Sequence, residues 1–188
     1  MLILASASPR RKELLKKITS DFIVLPSNID ESVLSGSVSP SEYAKEESRQ
    51  KAYDVFSKHT EDEVLSCDTI VVLEGRILGK PKDEGDAFKM LRLQSGKPQT
   101  VLSAYTYISK EREITRTVST KVFFKSLTDE AIRRYIALFK PFDKAGSYGI
   151  QDDFPLVEKI EGSFDNVMGL PVEDLRNNVF PYSPKSSR

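Results

Sequence analysis

The segment Ser6-Ala7-Ser8-Pro9-Arg10-Arg11-Lys12, directly after the short apolar run Leu2-Ile3-Leu4, brings hydroxyls and cations together at a helix start. Ser8 is a good N-cap, and Pro9 sits at the first helical position, where the N–H has no partner anyway. Arg10, Arg11 and Lys12 then put positive charge in a turn that the helix dipole already makes positive, where acids stabilise better. That arrangement suits a docked polyanion, phosphate above all; the alternative is a solvated basic turn. Further along, Asp68 interrupts Val64-Leu65-Ser66-Cys67-Asp68-Thr69-Ile70-Val71-Val72. A carboxylate in so apolar a strand needs an ion pair, hydrogen bonds or a metal. It is either a salt-bridged edge residue or a general base or metal ligand in a cleft.

Other residues fit the same chemistry with alternatives beside them. Lys80, in Gly79-Lys80-Pro81 after a hairpin, leaves the backbone at a fixed place. Lys51 sits in a charged helix, where a solvated lysine is an equal reading, and Lys144 can pair locally with Asp143. Ser6, Ser8 and Thr69 offer hydroxyls for phosphate or sugar contacts, but no base stands beside them in an arrangement that would make a nucleophile. Gln151 ends Tyr148-Gly149-Ile150-Gln151; its amide presents a donor and an acceptor side by side, complementary to the N3–H and O4 edge of uracil or thymine. The amide can flip, so Gln151 alone does not reject cytosine. His59, the single histidine, falls in a polar helix exit and reads as a surface residue.

These residues need a framework, and the hydrophobic periodicity supplies one. Helices are predicted over about 9–18, 39–56, 82–95, 128–139 and 172–178, and strands over about 22–25, 64–73, 77–78, 100–108, 114–124 and 156–160. Ser39-Pro40-Ser41-Glu42 has the form of a capping box. Alternating strands and helices with one antiparallel pair imply an α/β fold with a mixed β-sheet flanked by helices. No linker composition appears, so a single α/β domain over residues 1–180 is expected, with a short polar tail over 181–188.

Composition bounds the function. The chain has 188 residues, 39% hydrophobic and 30% charged, with 28 basic and 28 acidic side chains balancing to zero net charge. A general nucleic-acid binder would carry a basic excess. The lone Cys67 excludes an intrachain disulfide and suits a reducing compartment. No apolar run is long enough for a membrane span, and no leader pattern is evident, so a cytoplasmic protein is expected.

Ser6-Ala7-Ser8-Pro9-Arg10-Arg11 after a short strand resembles the opening motif of the Maf family of nucleoside triphosphate pyrophosphatases, also called septum formation inhibitors. Cys67-Asp68-Thr69 with Gly79-Lys80-Pro81, then Asp143-Lys144-Ala145-Gly146-Ser147-Tyr148-Gly149-Ile150-Gln151, then Val167-Met168-Gly169-Leu170-Pro171 are similar to its later motifs, in the same order. The resemblance therefore spans almost the whole chain. It implies an inosine-triphosphatase-like fold with two lobes around a central cleft. It also implies hydrolysis of dTTP and UTP, with modified pyrimidine nucleotides as further substrates, to the monophosphate and pyrophosphate. The Asp-Thr pair with Tyr-Gly-Ile-Gln is similar to this branch and not to the one linked to 7-methyl-GTP.

On the matching positions, the resemblance implies Asp68 as catalytic base, supported by Lys80 and Arg11. It implies substrate contacts from Ser6, Ser8, Arg10, Lys51, Thr69 and Gln151, and a divalent cation, Mg²⁺ or Mn²⁺, held by Glu31 and Asp68. Asp30 is the alternative to Glu31. The partners expected are a nucleoside triphosphate, no nucleic acid, no membrane, and a second copy in a homodimer. The rival reading is a regulator of division that binds a nucleotide without turnover. Two departures stand out: Asp152-Asp153 follows Gln151 where the family has Gly, and Asp165 replaces a neutral or aromatic residue. The first adds negative charge that either weakens phosphate binding or points to solvent.

Overall fold

The computed structural model describes residues 1–29 and 38–181. Its centre is β3 (Glu63–Leu73), most of which is buried because both faces are covered. β1 (Leu2–Leu4) runs parallel to it and to β2 (Phe22–Val24), so the N-terminal strand is buried on all sides. Between β1 and β2, α1 (Pro9–Lys16) starts as expected, with Ser8 Oγ accepting the Arg11 N–H at 3.4 Å and Leu14 and Leu15 turned to the core. α2 (Pro40–Phe56) is capped by Ser39, whose Oγ accepts the Glu42 N–H at 3.2 Å. The reciprocal half of the capping box is replaced by an ion pair of Glu42 with Lys45 at 2.8 Å.

The remaining elements extend and cover the sheet. β3 turns through Glu74 and Gly75, both at positive φ, into β4 (Arg76–Leu78); positive φ at both central residues gives the tight hairpin a twist that matches its strands. α3 (Glu84–Gln94) follows, capped by Asp83. β5 (Pro98–Ile108), β6 (Glu113–Phe124) and β7 (Val157–Glu161) are antiparallel, with α4 (Asp129–Phe139) between β6 and β7. α5 (Phe164–Met168) and α6 (Val172–Asn178) close the described chain. The sheet order is β2-β1-β3-β5-β6-β7, with β4 also on β3. The fold is thus the expected α/β arrangement of a mixed sheet with flanking helices.

One consequence of this register positions the site. β5 pairs with β3 along Val64–Val72, occupying one edge for nearly its full length. The other edge is shared: β1 takes Glu63–Leu65 and β4 takes Val71–Leu73. Residues 66–70 therefore have no strand on that side among the described residues. The apolar core divides at the same place. Leu65 and Cys67 belong to a cluster with Leu14, Leu15, Tyr105 and Leu170, whereas Val71 belongs to one with Leu91, Val101, Ile132 and Tyr135. A cleft between two packed ends, with Asp68 and Thr69 at its floor, follows from where two short strands stop. Of the tail expected at 181–188, only Pro181 is described.

Candidate active site

A cavity of about 310 Å³ opens over the unpaired edge of β3. That is at the lower end of the range of about 300–1,000 Å³ usual for small-molecule sites. Ser8, Arg10 and Arg11 reach it from the start of α1, Asp68 and Thr69 from β3, Gly79 and Lys80 from the exit of β4, and Tyr148 to Gln151 from the strap before β7. Val167, Met168 and Gly169 complete the wall from α5. Segments that are far apart in sequence thus meet at one space. Lys12, the third cation of the opening motif, is exposed and does not line it.

Arg11 is fixed from three sides. Its Nε donates to Gly169 O at 2.9 Å, one terminal nitrogen to Ser6 Oγ at 3.2 Å and the other to Thr69 Oγ1 at 3.2 Å. Gly169, at φ 120°, ends α5 in a backbone conformation that turns its carbonyl to the guanidinium. Ser6 Oγ also accepts the Ser8 N–H, and Thr69 Oγ1 shares a hydrogen bond with Ser103 Oγ at 2.9 Å. The hydroxyls of Ser6 and Thr69 thus hold the arginine as well as the wall. A guanidinium has five N–H groups, so others remain to face an anion. Arg10 pairs with Asp143 Oδ2 at 3.1 Å, and Lys144 pairs with Asp143 Oδ1 at 3.0 Å, the local pairing anticipated for Lys144. Partial burial pushes the Asp143 carboxyl up, but Lys144 and Arg10 together outweigh it and hold it below its ordinary value.

Asp68 points from β3 towards α2, where Lys51 Nζ donates to its Oδ1 at 2.8 Å. Lys51 Nζ also lies 3.8 Å from Glu47 Oε2, one helical turn earlier. Lys51 and Glu47 are buried, at 8% and 2% exposure, and Glu47 lines the cavity. Buried charges of this kind occur almost only when paired. Sequence reasoning misses Glu47 as a site residue, because it counts only as one position of a helical repeat; the signal is a Glu four residues before a lysine already singled out. Glu31 and its alternative Asp30 lie outside the described residues. Among the described residues no group of three or more His, Cys, Asp or Glu side chains is placed to enclose a metal. The donors present are nevertheless of the right kind: carboxylate oxygens suit Mg²⁺ or Mn²⁺, and Mg²⁺ is commonly held by one or two carboxylates together with substrate phosphates.

The strap from Asp143 to Asp152 is anchored at several points. Gly146 N–H donates to Gly79 O at 3.0 Å, and Gln94 Nε2 donates to Gly146 O at 2.6 Å, tying the strap to both the Lys80 turn and α3. Tyr148 is buried edge-on against Phe124, with ring centres 4.9 Å apart. Gln151 is exposed at the cavity rim. Asp152 takes neither course foreseen for it: its carboxylate turns to Tyr135, whose hydroxyl donates to it at 2.5 Å. Asp165 pairs with Lys17 at 2.7 Å on the surface. Burial pushes the Cys67 thiol up, which disfavours the reactive thiolate. No helix among the described residues is long and apolar enough to cross a membrane.

Residues 1–179 match the family described as Maf-like protein. A dTTP/UTP pyrophosphatase from Geotalea uraniireducens (strain Rf4) is 49% identical over 174 residues, covering 91% of this chain and 89% of that protein. One from Thermococcus gammatolerans (strain DSM 15229 / JCM 11827 / EJ3) is 47% identical over 174 residues, covering 92% of each. Among solved structures, the nucleoside-triphosphatase / dITP/XTP pyrophosphatase from Mycobacterium abscessus aligns over 67% of this chain and 75% of its own, at 17% identity and a TM-score of 0.42.

Proposed function

This chain belongs to the Maf family, and we propose that it hydrolyses dTTP and UTP to the nucleoside monophosphate and pyrophosphate. The observation that carries this reading is the meeting of cations, a paired carboxylate and an amide rim in one cavity. The names of its relatives supply the substrate pair. A triphosphate carries about four negative charges, which fixed cations stabilise best in a site shielded from water. Arg10, Arg11, Lys80 and Lys144 line the cavity for that purpose.

In the reaction, Asp68 accepts the proton of the water that attacks the α-phosphorus, and pyrophosphate leaves against Arg10, Arg11 and Lys80. Arg11 contributes its charge from a position set by Gly169, Ser6 and Thr69. Lys51 holds the Asp68 carboxylate on the α2 side, and Ser8 contacts phosphate at the helix start. Gln151 reads the pyrimidine edge at the rim. A divalent cation, Mg²⁺ or Mn²⁺, bound by Asp68 and Glu31 would neutralise phosphate oxygens and stabilise charge in the transition state.

The test is pyrophosphate release from a panel of nucleoside triphosphates with Mg²⁺, Mn²⁺ or a chelator. Metal-dependent release strongest with dTTP and UTP is expected. Preference for a purine would overturn the specificity, and tight binding without product under every metal would point to a nucleotide-binding regulator instead.

A further inference from the structure

Gln151 occupies the third position of a four-residue turn, Gly149-Ile150-Gln151-Asp152, closed by the Asp152 N–H donating to Gly149 O at 3.1 Å. Both ends of this turn are bound to one phenol. The Gly149 N–H donates to Tyr135 Oη at 2.9 Å, and Tyr135 Oη donates to Asp152 Oδ2 at 2.5 Å. The three hydrogen bonds form a ring that starts and ends at Gly149 and leaves Ile150 and Gln151 outside it, at the cavity.

Tyr135 is itself packed on several sides, its ring centre lying 5.4 Å from that of Phe154. It is fully buried on α4, and its ring stacks on Phe139 with centres 5.1 Å apart. Burial and the Asp152 carboxylate both push its hydroxyl up, so it keeps the proton it donates. The fit is close at Gly149, where an added Cβ would come within 2.7 Å of Asp152 Oδ2. Neither Tyr135 nor Asp152 lines the cavity; they act only through the turn that does.

We infer that Tyr135 and Asp152 are positioning residues for pyrimidine selection, clamping both ends of the turn that aims Gln151 at the base. This rests on the reading of Gln151 as the base-recognition residue. An exposed glutamine on an unclamped turn would sample many directions, and a freely flipping amide accepts either pyrimidine. The clamp holds the side chain to one approach to the base edge and so supplies the selection that the amide alone lacks. The acid that follows Gln151 is then a built part of this chain's specificity, remote from the phosphates.

The test is kcat and KM for UTP and CTP in wild type, Tyr135→Phe, Gln151→Ala and their double variant, with Asp152→Ala and Asp152→Asn beside them. Tyr135→Phe keeps the ring and its stacking, so the fold is retained, as a thermal melt would confirm. KM for UTP is expected to rise about tenfold, the scale of one lost net hydrogen bond, with kcat within about twofold and the UTP-over-CTP ratio falling. Asp152→Ala should do the same, while Asp152→Asn, which still accepts from the phenol, restores most of the ratio. On a Gln151→Ala background Tyr135→Phe should add little, because coupled residues are not additive. An unchanged ratio in Tyr135→Phe and Asp152→Ala, a uniform kcat loss on both nucleotides, or full additivity with Gln151→Ala would overturn the clamp. A wild type with no UTP preference, or a Gln151→Ala variant that keeps it, would instead overturn the base reading and the inference with it.

Discussion

Replacing Asp68 by Asn removes the proton acceptor and keeps the shape, so it separates chemistry from folding. A positioned general base contributes about 10²–10⁴ in rate. At about 1.36 kcal/mol per decade, the loss is about 2.7–5.4 kcal/mol of transition-state stabilisation. The stability cost should be smaller. Breaking a buried ion pair costs about 3–5 kcal/mol when the surviving charge is left uncompensated. Here Lys51 retains Glu47, 3.8 Å from its ammonium, and the amide introduced by Asp68→Asn would keep an oxygen where the carboxylate now accepts at 2.8 Å. About 1–2 kcal/mol is expected, the scale of weakening one charged hydrogen bond to a neutral one. The assay is kcat from pyrophosphate released at saturating UTP, with urea unfolding of both proteins. Turnover within tenfold of wild type would refute Asp68 as the base. A stability loss above about 4 kcal/mol would refute Glu47 as the retained counter-ion.

Arg11→Lys should raise KM for UTP about tenfold and cost about 1–2 kcal/mol, because a single ammonium cannot hold the Gly169 carbonyl and the Ser6 and Thr69 hydroxyls at once. Steady-state kinetics with a denaturation curve checks both. Gly146→Ala should destabilise by about 1–3 kcal/mol, since φ is 69° and the new Cβ would meet Val71 Cγ2 at 3.0 Å; a thermal melt reads the shift. Asp174 gives a pH signature. Its partial burial pushes the carboxyl up, but hydrogen bonds from Arg116 and Tyr105 outweigh this and hold it below its ordinary value. A depressed folded value means stability present above the unfolded value of about 4 and lost as pH falls through the folded one. Asp174→Asn should therefore be less stable by about 1 kcal/mol near neutrality, with the difference shrinking below about pH 4 in urea midpoints measured against pH.

Local physics made much of the fold readable from sequence. Ser8 and Pro9 announce α1, and Ser39-Pro40-Ser41-Glu42 announces α2. α5 escaped because five residues after Ser163 are too few to show a helical period. The site was readable as a set of residue types but not as a set of contacts. Nothing local to Arg10-Arg11 indicates that Arg11 is held by a carbonyl at Gly169, or that Asp143 closes on Arg10. Glu47 was hidden for a related reason: its i,i+4 spacing from Lys51 has the form of an ordinary surface pair until the sheet buries both. Asp152 shows the same limit, because the phenol it binds belongs to α4 and only the tertiary fold brings the two together.

Hydrolysis of UTP in ¹⁸O-labelled water, with both products analysed by mass spectrometry, tests whether the cavity directs water to the α-phosphorus. Label in UMP and none in pyrophosphate is the expected result. Label in pyrophosphate, or release of UDP and orthophosphate, would contradict the placement of Asp68 and the cations around the scissile bond.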